Sequence, residues 1–163
     1  MKIISSLIYQ YYDQEEKKDV DNDIVKQVKM VSPARTFLEK AFLLCEEYQK
    51  ESPRTLRMSR HLYDLEKLSS TTYANSALKD IELYRSIVEH RRKFYHVGYI
   101  DYNKELPASI AIVPPEELLD SFKTDYKNMQ ESFIYGDSLP FNDLITSLSK
   151  LQEKFRKIDM EKL

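Results

Sequence analysis

The chain has 163 residues, of which 42% are hydrophobic and 32% charged. That is the balance of an ordinary globular domain, long enough to bury about two-thirds of the surface its unfolded form exposes. Its 25 basic and 27 acidic side chains leave a net charge of −2, which excludes duplex-DNA binding through bulk charge, and no apolar run approaches the ~20 residues that span a bilayer.

The chain opens on Ile3, Ile4, Leu7, Ile8, Tyr11 and Tyr12. Their i, i+4 recurrence fits a short helix within residues 1–18, and the stretch is too short and too polar afterwards for a signal peptide. Asp19 to Asp23 reads as a solvated loop. Ile24 to Val31 has the composition and partial alternation of a strand. Ser32-Pro33 then starts a helix, with Pro at the first helical position. Phe37, Leu38, Ala41, Phe42, Leu44, Cys45 and Tyr48 form its apolar face. Pro53 breaks this pattern, and a second helix is expected over about 56–68. After the polar connector Ser69 to Thr72, a third covers about 75–93, with Ala77, Ile81, Tyr84 and Val88 on one stripe. Residues 97–113 read as irregular or extended. Pro114-Pro115-Glu116-Glu117 opens a fourth helix, with acidic residues suited to its N-terminal dipole. Gly136 is placed to end it or to form the turn beyond. Leu144, Leu148, Leu151, Phe155 and Ile158 mark a last helix over about 141–161. The fold class is therefore mainly α, α+β at most. One helical bundle-like domain of about five helices is expected, with a small N-terminal strand element.

Few residues offer catalytic chemistry. The single cysteine, Cys45, excludes an internal disulfide and any multi-cysteine metal centre, and makes a reducing cytoplasm the default compartment. It sits in an apolar stripe, where a buried, inert thiol is expected. The three histidines, His61, His90 and His96, show no metal-ligand spacing. With only Gly98 and Gly136, no glycine-rich phosphate loop can be built. Lys40 edges the apolar face of the first helix. Either its stem lies on the core and its amine is solvated, or it is a cation poised to bind phosphate. Asp64 follows Arg60 by four residues. Either the two form a surface ion pair, or Asp64 is a carboxylate offered to a substrate or metal. The run His90-Arg91-Arg92-Lys93 reads as a solvated helix end that could also contact RNA phosphates.

Two segments carry a family resemblance. Val31-Ser32-Pro33-Ala34-Arg35-Thr36-Phe37-Leu38-Glu39-Lys40 resembles the SPxRTFxEK segment of AbiEii-type nucleotidyltransferases, the toxins of type IV toxin–antitoxin (abortive infection) systems. Arg60-His61-Leu62-Tyr63-Asp64-Leu65 resembles the R-(H/D)-x-Y-D-(L/I) segment that follows it there. Downstream, Val88-x-His90-Arg91, Tyr102, Ile112-Val113-Pro114, Asp125-Tyr126-x-x-Met129, Ile134-Tyr135-Gly136 and Pro140-Phe141 are similar in order and spacing. The likeness runs from about Ile24 to Phe155.

The resemblance implies a nucleotidyltransferase fold followed by a helical part, with Mg²⁺ and a nucleoside triphosphate as cofactors and RNA among the acceptors. It makes Lys40 the third-motif lysine and Asp64 the fourth-motif aspartate, the two catalytic candidates. Arg35, Arg57, Arg60 and His61 are then candidate phosphate or RNA contacts. The family's first motif, a Gly-Gly or Gly-Ser turn, has no match, and its Asp-x-Asp pair has none with the preceding glycines. Asp19, Asp21 and Asp23 have the letters but sit in a polar loop. The expectation is the helical C-terminal part of such a toxin: residues 1–31 a remnant of the strand-containing part, 32–163 the helical part. On this view the chain holds no metal or cofactor in isolation and is inactive alone. Its partners would be an antitoxin, an upstream-encoded chain, a second copy or RNA, and not a membrane. Two rival readings remain. One is a non-catalytic module that docks on another chain or on itself. The other is a complete small enzyme whose Asp21, Asp23 and Asp64 hold a metal.

Overall fold

The computed structural model describes residues 31–95 and 98–159. The expected opening helix and the polar Asp19–Asp23 loop lie outside these residues. So does the expected strand over 24–31, except for its last residue, Val31, which is exposed. The described residues form six α-helices and no strand, so the mainly α class holds. The helices are α1 (Pro33–Glu47), α2 (Ser59–Ser69), α3 (Thr72–Ala77), α4 (Ile81–Phe94), α5 (Leu119–Ser132) and α6 (Phe141–Arg156). Single 3₁₀ turns occur at Tyr102–Glu105 and Glu116–Leu118.

Helix α1 is central because it is apolar over more than one face. Phe37, Leu38, Ala41, Phe42, Leu44 and Cys45 are all buried, and α2, α3, α4 and the 102–105 turn pack on it. Helix α2 extends the core, since α5 and α6 also pack on it. Aromatic rings join the layers. Phe37 stacks on Phe155 of α6 at 5.5 Å, and Phe42 meets the Tyr84 edge at 5.0 Å. Such pairs contribute about 0.5–1.5 kcal/mol beyond the area they bury. The stripe on α6 is buried at Leu144, Leu148, Leu151 and Phe155.

Three element boundaries differ from the sequence expectation, each for a local reason. The single helix expected over 75–93 is two helices. Thr71 accepts the Ala74 amide proton to cap α3, and Asp80 accepts that of Leu83 at 2.9 Å to start α4. These caps satisfy helix-end donors that a continuous helix would not expose. Helix α2 begins at Ser59 rather than near Leu56, because Arg57 adopts a φ of +59°. Helix α6 ends at Arg156, with Lys157 as its C-cap, short of the expected 161. Ile110 and Ile112 are buried in an extended segment that joins no sheet. The Gln152 side-chain oxygen accepts the amide protons of Ile112 and Val113 at 2.7 and 3.2 Å, as buried backbone donors require. Gly136, just beyond α5, has a φ of +113°. No helix among the described residues is long and apolar enough to cross a membrane.

Candidate functional site

Lys40 projects from the middle of α1 and Asp64 from the middle of α2, the helix packed beside it. Their side chains meet as an ion pair, Nζ to Oδ2 at 2.7 Å. Both are part-exposed, 24% for Lys40 and 38% for Asp64, so the pair is reachable from solvent. The local ion pair of Asp64 with Arg60 is not formed. Packing α2 on α1 brings a longer-range cation nearer, and Arg60 instead turns its Nε toward His61 Nε2 at 3.4 Å.

His61 is buried beside this pair, and its Nδ1 has no hydrogen-bond partner. Burial, with the positive charges of Lys40 and Arg60 added to it, lowers its pKa to about 4. At neutral pH the imidazole is therefore uncharged, and any contact with phosphate uses a neutral ring.

The other candidate cations are placed differently. Arg35 lies one turn before Glu39 on α1 and pairs with it at 3.2 Å. Arg57 and Arg60 flank the start of α2 and line a cavity of about 300 Å³ with Leu56, Met129 and Phe133. The Arg57 guanidinium stands 6.0 Å above the Phe133 ring, a cation–π arrangement.

Asp125 organises this end of the site. From α5 it accepts the amide protons of Arg57 at 2.6 Å and Ser59 at 2.9 Å, and the Ser59 hydroxyl donates to it as well. It thus caps α2 from another helix and holds Arg57 in its left-handed conformation. The sequence shows Asp125 only as a member of a motif on a polar helix face. A cap 66 residues from the amide it serves leaves no local signal.

The basic run at the end of α4 is corrected in one member. Arg91 is not solvated but 5% exposed. It bonds Glu46 through Nε at 2.8 Å and Nη2 at 2.6 Å, and also contacts Glu39. Burial opposes its charge, but the hydrogen bond and proximity of Glu46 outweigh that and raise its pKa. Cys45 is buried and donates to the Lys104 carbonyl at 3.3 Å. Burial pushes its thiol up to about 11, so it is no nucleophile at neutral pH.

Among the described residues, no three histidine, cysteine, aspartate or glutamate side chains converge to hold a metal ion. Asp64 is one carboxylate with an ammonium already on it. The described residues therefore do not fit a Mg²⁺ centre, which takes clustered oxygen ligands. Asp21 and Asp23 lie outside the described residues.

A family model described as nucleotidyl transferase AbiEii toxin, type IV TA system, matches residues 6–157. No curated protein and no solved structure matches the chain.

Proposed function

The chain belongs to the AbiEii nucleotidyltransferase toxin family of type IV toxin–antitoxin systems, and we propose that it is the helical part of such a toxin and transfers no nucleotide alone. The observation that carries this reading is the Lys40–Asp64 pair. Two motif residues that lie 24 positions apart, on different helices, meet at 2.7 Å on a solvent-accessible face. In this reading Lys40 neutralises phosphate as a point charge. Asp64 holds the ammonium in place until a phosphate oxygen replaces it. Arg57 and Arg60 extend the cationic face toward RNA or triphosphate, and Arg35 marks its other edge. His61 packs beneath the pair as a neutral ring.

What supports inactivity is the want of a glycine turn in the sequence and of a metal cluster among the described residues. It has two glycines, neither followed by glycine or serine, and the described residues gather no carboxylates for Mg²⁺. In-line phosphoryl transfer depends on both devices. The nucleoside triphosphate and Mg²⁺ would then be held by other chain segments, with residues 1–31 contributing what remains of the strand-containing part. An antitoxin is the partner that a type IV system implies, and the cytoplasm is the compartment that suits one unpaired, buried thiol.

The test is a transfer assay. Purified chain is incubated with Mg²⁺, each labelled nucleoside triphosphate in turn, and total cellular RNA. No label on RNA is expected. Label that appears, and is lost in Asp64→Ala, would overturn the proposal and make the chain an enzyme in its own right.

A second reading is a non-catalytic module that docks on another chain or on a second copy. One observation favours it. Leu56 and Phe133, 77% and 69% exposed, flank the 300 Å³ cavity, and Tyr135 beyond α5 is 96% exposed. Apolar surface gathered in this way marks interaction sites. Light scattering across micromolar concentrations, with a mass above the monomer that drops in Phe133→Asp, would support self-association.

A further inference from the structure

Arg91 is the cation at the buried centre of a cluster that holds three carboxyl groups, with Arg35 pairing Glu39 at its part-exposed edge. Glu39 and Glu46 reach it from α1, and Glu105 Oε1 lies 3.8 Å from its Nε. Glu105 ends the 3₁₀ turn at Tyr102–Glu105 and is 0% exposed. Neither of its carboxyl oxygens accepts a hydrogen bond. The hydrogen bonds that Arg91 donates go to Glu39 and Glu46 and not to Glu105.

Other polar groups facing the turn bond its backbone or Asn103. From α1, Cys45 donates its thiol proton to the Lys104 carbonyl. From α4, Tyr84 donates its hydroxyl to the Glu105 backbone carbonyl at 2.5 Å, and Arg92 reaches Asn103 at 3.4 Å. Lys104 is itself exposed. Arg35 and solvent serve Glu39, and Arg91 serves Glu46, so an ionised Glu105 would add a negative charge with neither hydrogen bond nor water, which folded proteins avoid by protonation.

The neighbour that can accept from such an acid is Glu46, whose Oε1 bonds the same Arg91 Nε that Glu105 Oε1 faces, at 2.8 and 3.8 Å. Two carboxylates repel. An acid and a carboxylate share a strong hydrogen bond. We propose that Glu105 is protonated in the folded protein at neutral pH and donates to Glu46, and that loss of this proton at alkaline pH unlatches the Tyr102–Glu105 turn from α1 and α4. This proposal is independent of any catalytic role for Lys40 and Asp64.

Burial first, then the Glu46 hydrogen bond and charge, push the Glu105 carboxyl up to about 9. A folded value above the ordinary 4.5 means that folding takes up a proton between those limits. The stability this acid contributes is complete below about pH 4.5 and is lost as pH rises to about 9.

The direct test is a carbon NMR titration of the full chain, labelled at glutamate side-chain carboxyls, from about pH 4 to about pH 10.5. One resonance should titrate near pH 9, and Glu105→Gln should remove it. If every glutamate midpoint falls below about pH 6, the proposal is wrong. That readout needs no variant to fold.

The unlatching is read separately, through Cys45. At about pH 9.5 a thiol reagent should label native wild-type chain several-fold faster than Glu105→Gln, while the two match at pH 7. Equal rates at both pH values would overturn the release of the turn.

Discussion

Glu39 and Lys40 are neighbours on α1, yet they enter two different kinds of charged assembly. Glu39 turns toward α4 and joins Glu46, Glu105 and Arg91, where the guanidinium is 6% exposed. Lys40 turns toward α2 and meets a single carboxylate at a part-exposed site. The first assembly is multiply bonded, joins three elements and is dry at Arg91 and Glu105, with Glu39 and Arg35 at its part-exposed edge. The second is one contact that water can reach. A dry ion cluster is costly to break, because removing one member strands the others without solvent. A part-exposed pair can be exchanged for a ligand at little expense. The Arg91 cluster thus holds α1, α4 and the 102–105 turn together, whereas the Lys40–Asp64 pair stays within reach of solvent.

The largest effect should come from Arg91→Ala. It leaves Glu46 without its cation, Glu39 with Arg35 alone and the buried Glu105 without a neighbouring positive charge, and should cost about 3–5 kcal/mol by urea denaturation. A loss below ~1 kcal/mol would mean that this cluster is as wet as the other, and the contrast would collapse.

The next effect sharpens the comparison from the Lys40 side. His61 has a folded pKa of about 4 against an ordinary 6.5, so the unfolded chain binds the extra proton between those values. Its contribution is fully present above about pH 6.5 and is lost as pH falls toward 4. The loss should reach about 3 kcal/mol at most. Denaturation midpoints across this window should fall more steeply for wild type than for His61→Gln. Parallel curves would mean that His61 is solvated.

Asp125→Ala removes the acceptor of two backbone amides and one hydroxyl at the start of α2. A cost of about 1–2 kcal/mol is expected, the range of a lost helix cap. Amide exchange at Arg57 and Ser59 should quicken more than exchange in α6. Unchanged exchange at those two amides would remove Asp125 from its capping role.

The smallest effect belongs to Lys40→Met. This change keeps the apolar stem and deletes a part-exposed pair, so stability should change by less than ~1 kcal/mol. The distance between this result and that of Arg91→Ala measures the difference between the two assemblies. A loss of several kcal/mol at Lys40 would make its pair structural and would count against a role in ligand exchange.

Much of the fold was legible along the chain. The apolar face of α1, the stripe of α6, the Pro33 start and the buried Cys45 are periodic or local signals, and each appears where the pattern places it. The division at Leu78–Asp80 was written in Asp80 itself, but its cap competes with a stripe that runs straight through it. The candidate residues Lys40 and Asp64 were legible singly, on the strength of a family resemblance. Their meeting was not, because Arg60 is the nearer cation in sequence and α1 is the nearer helix in space. Asp125 and Arg91 were illegible for the same reason. One reads as an ordinary acid on an amphipathic helix, the other as one of three basic residues at a helix end.

The sequence by itself determined the helical class, the apolar faces that must be buried, and the family, since these depend on residue type, spacing and order. Only the tertiary structure decided which charges are dry and which are wet. That choice depends on which helix faces come together, and a charged side chain takes its partner, its protonation state and its use from what is packed against it.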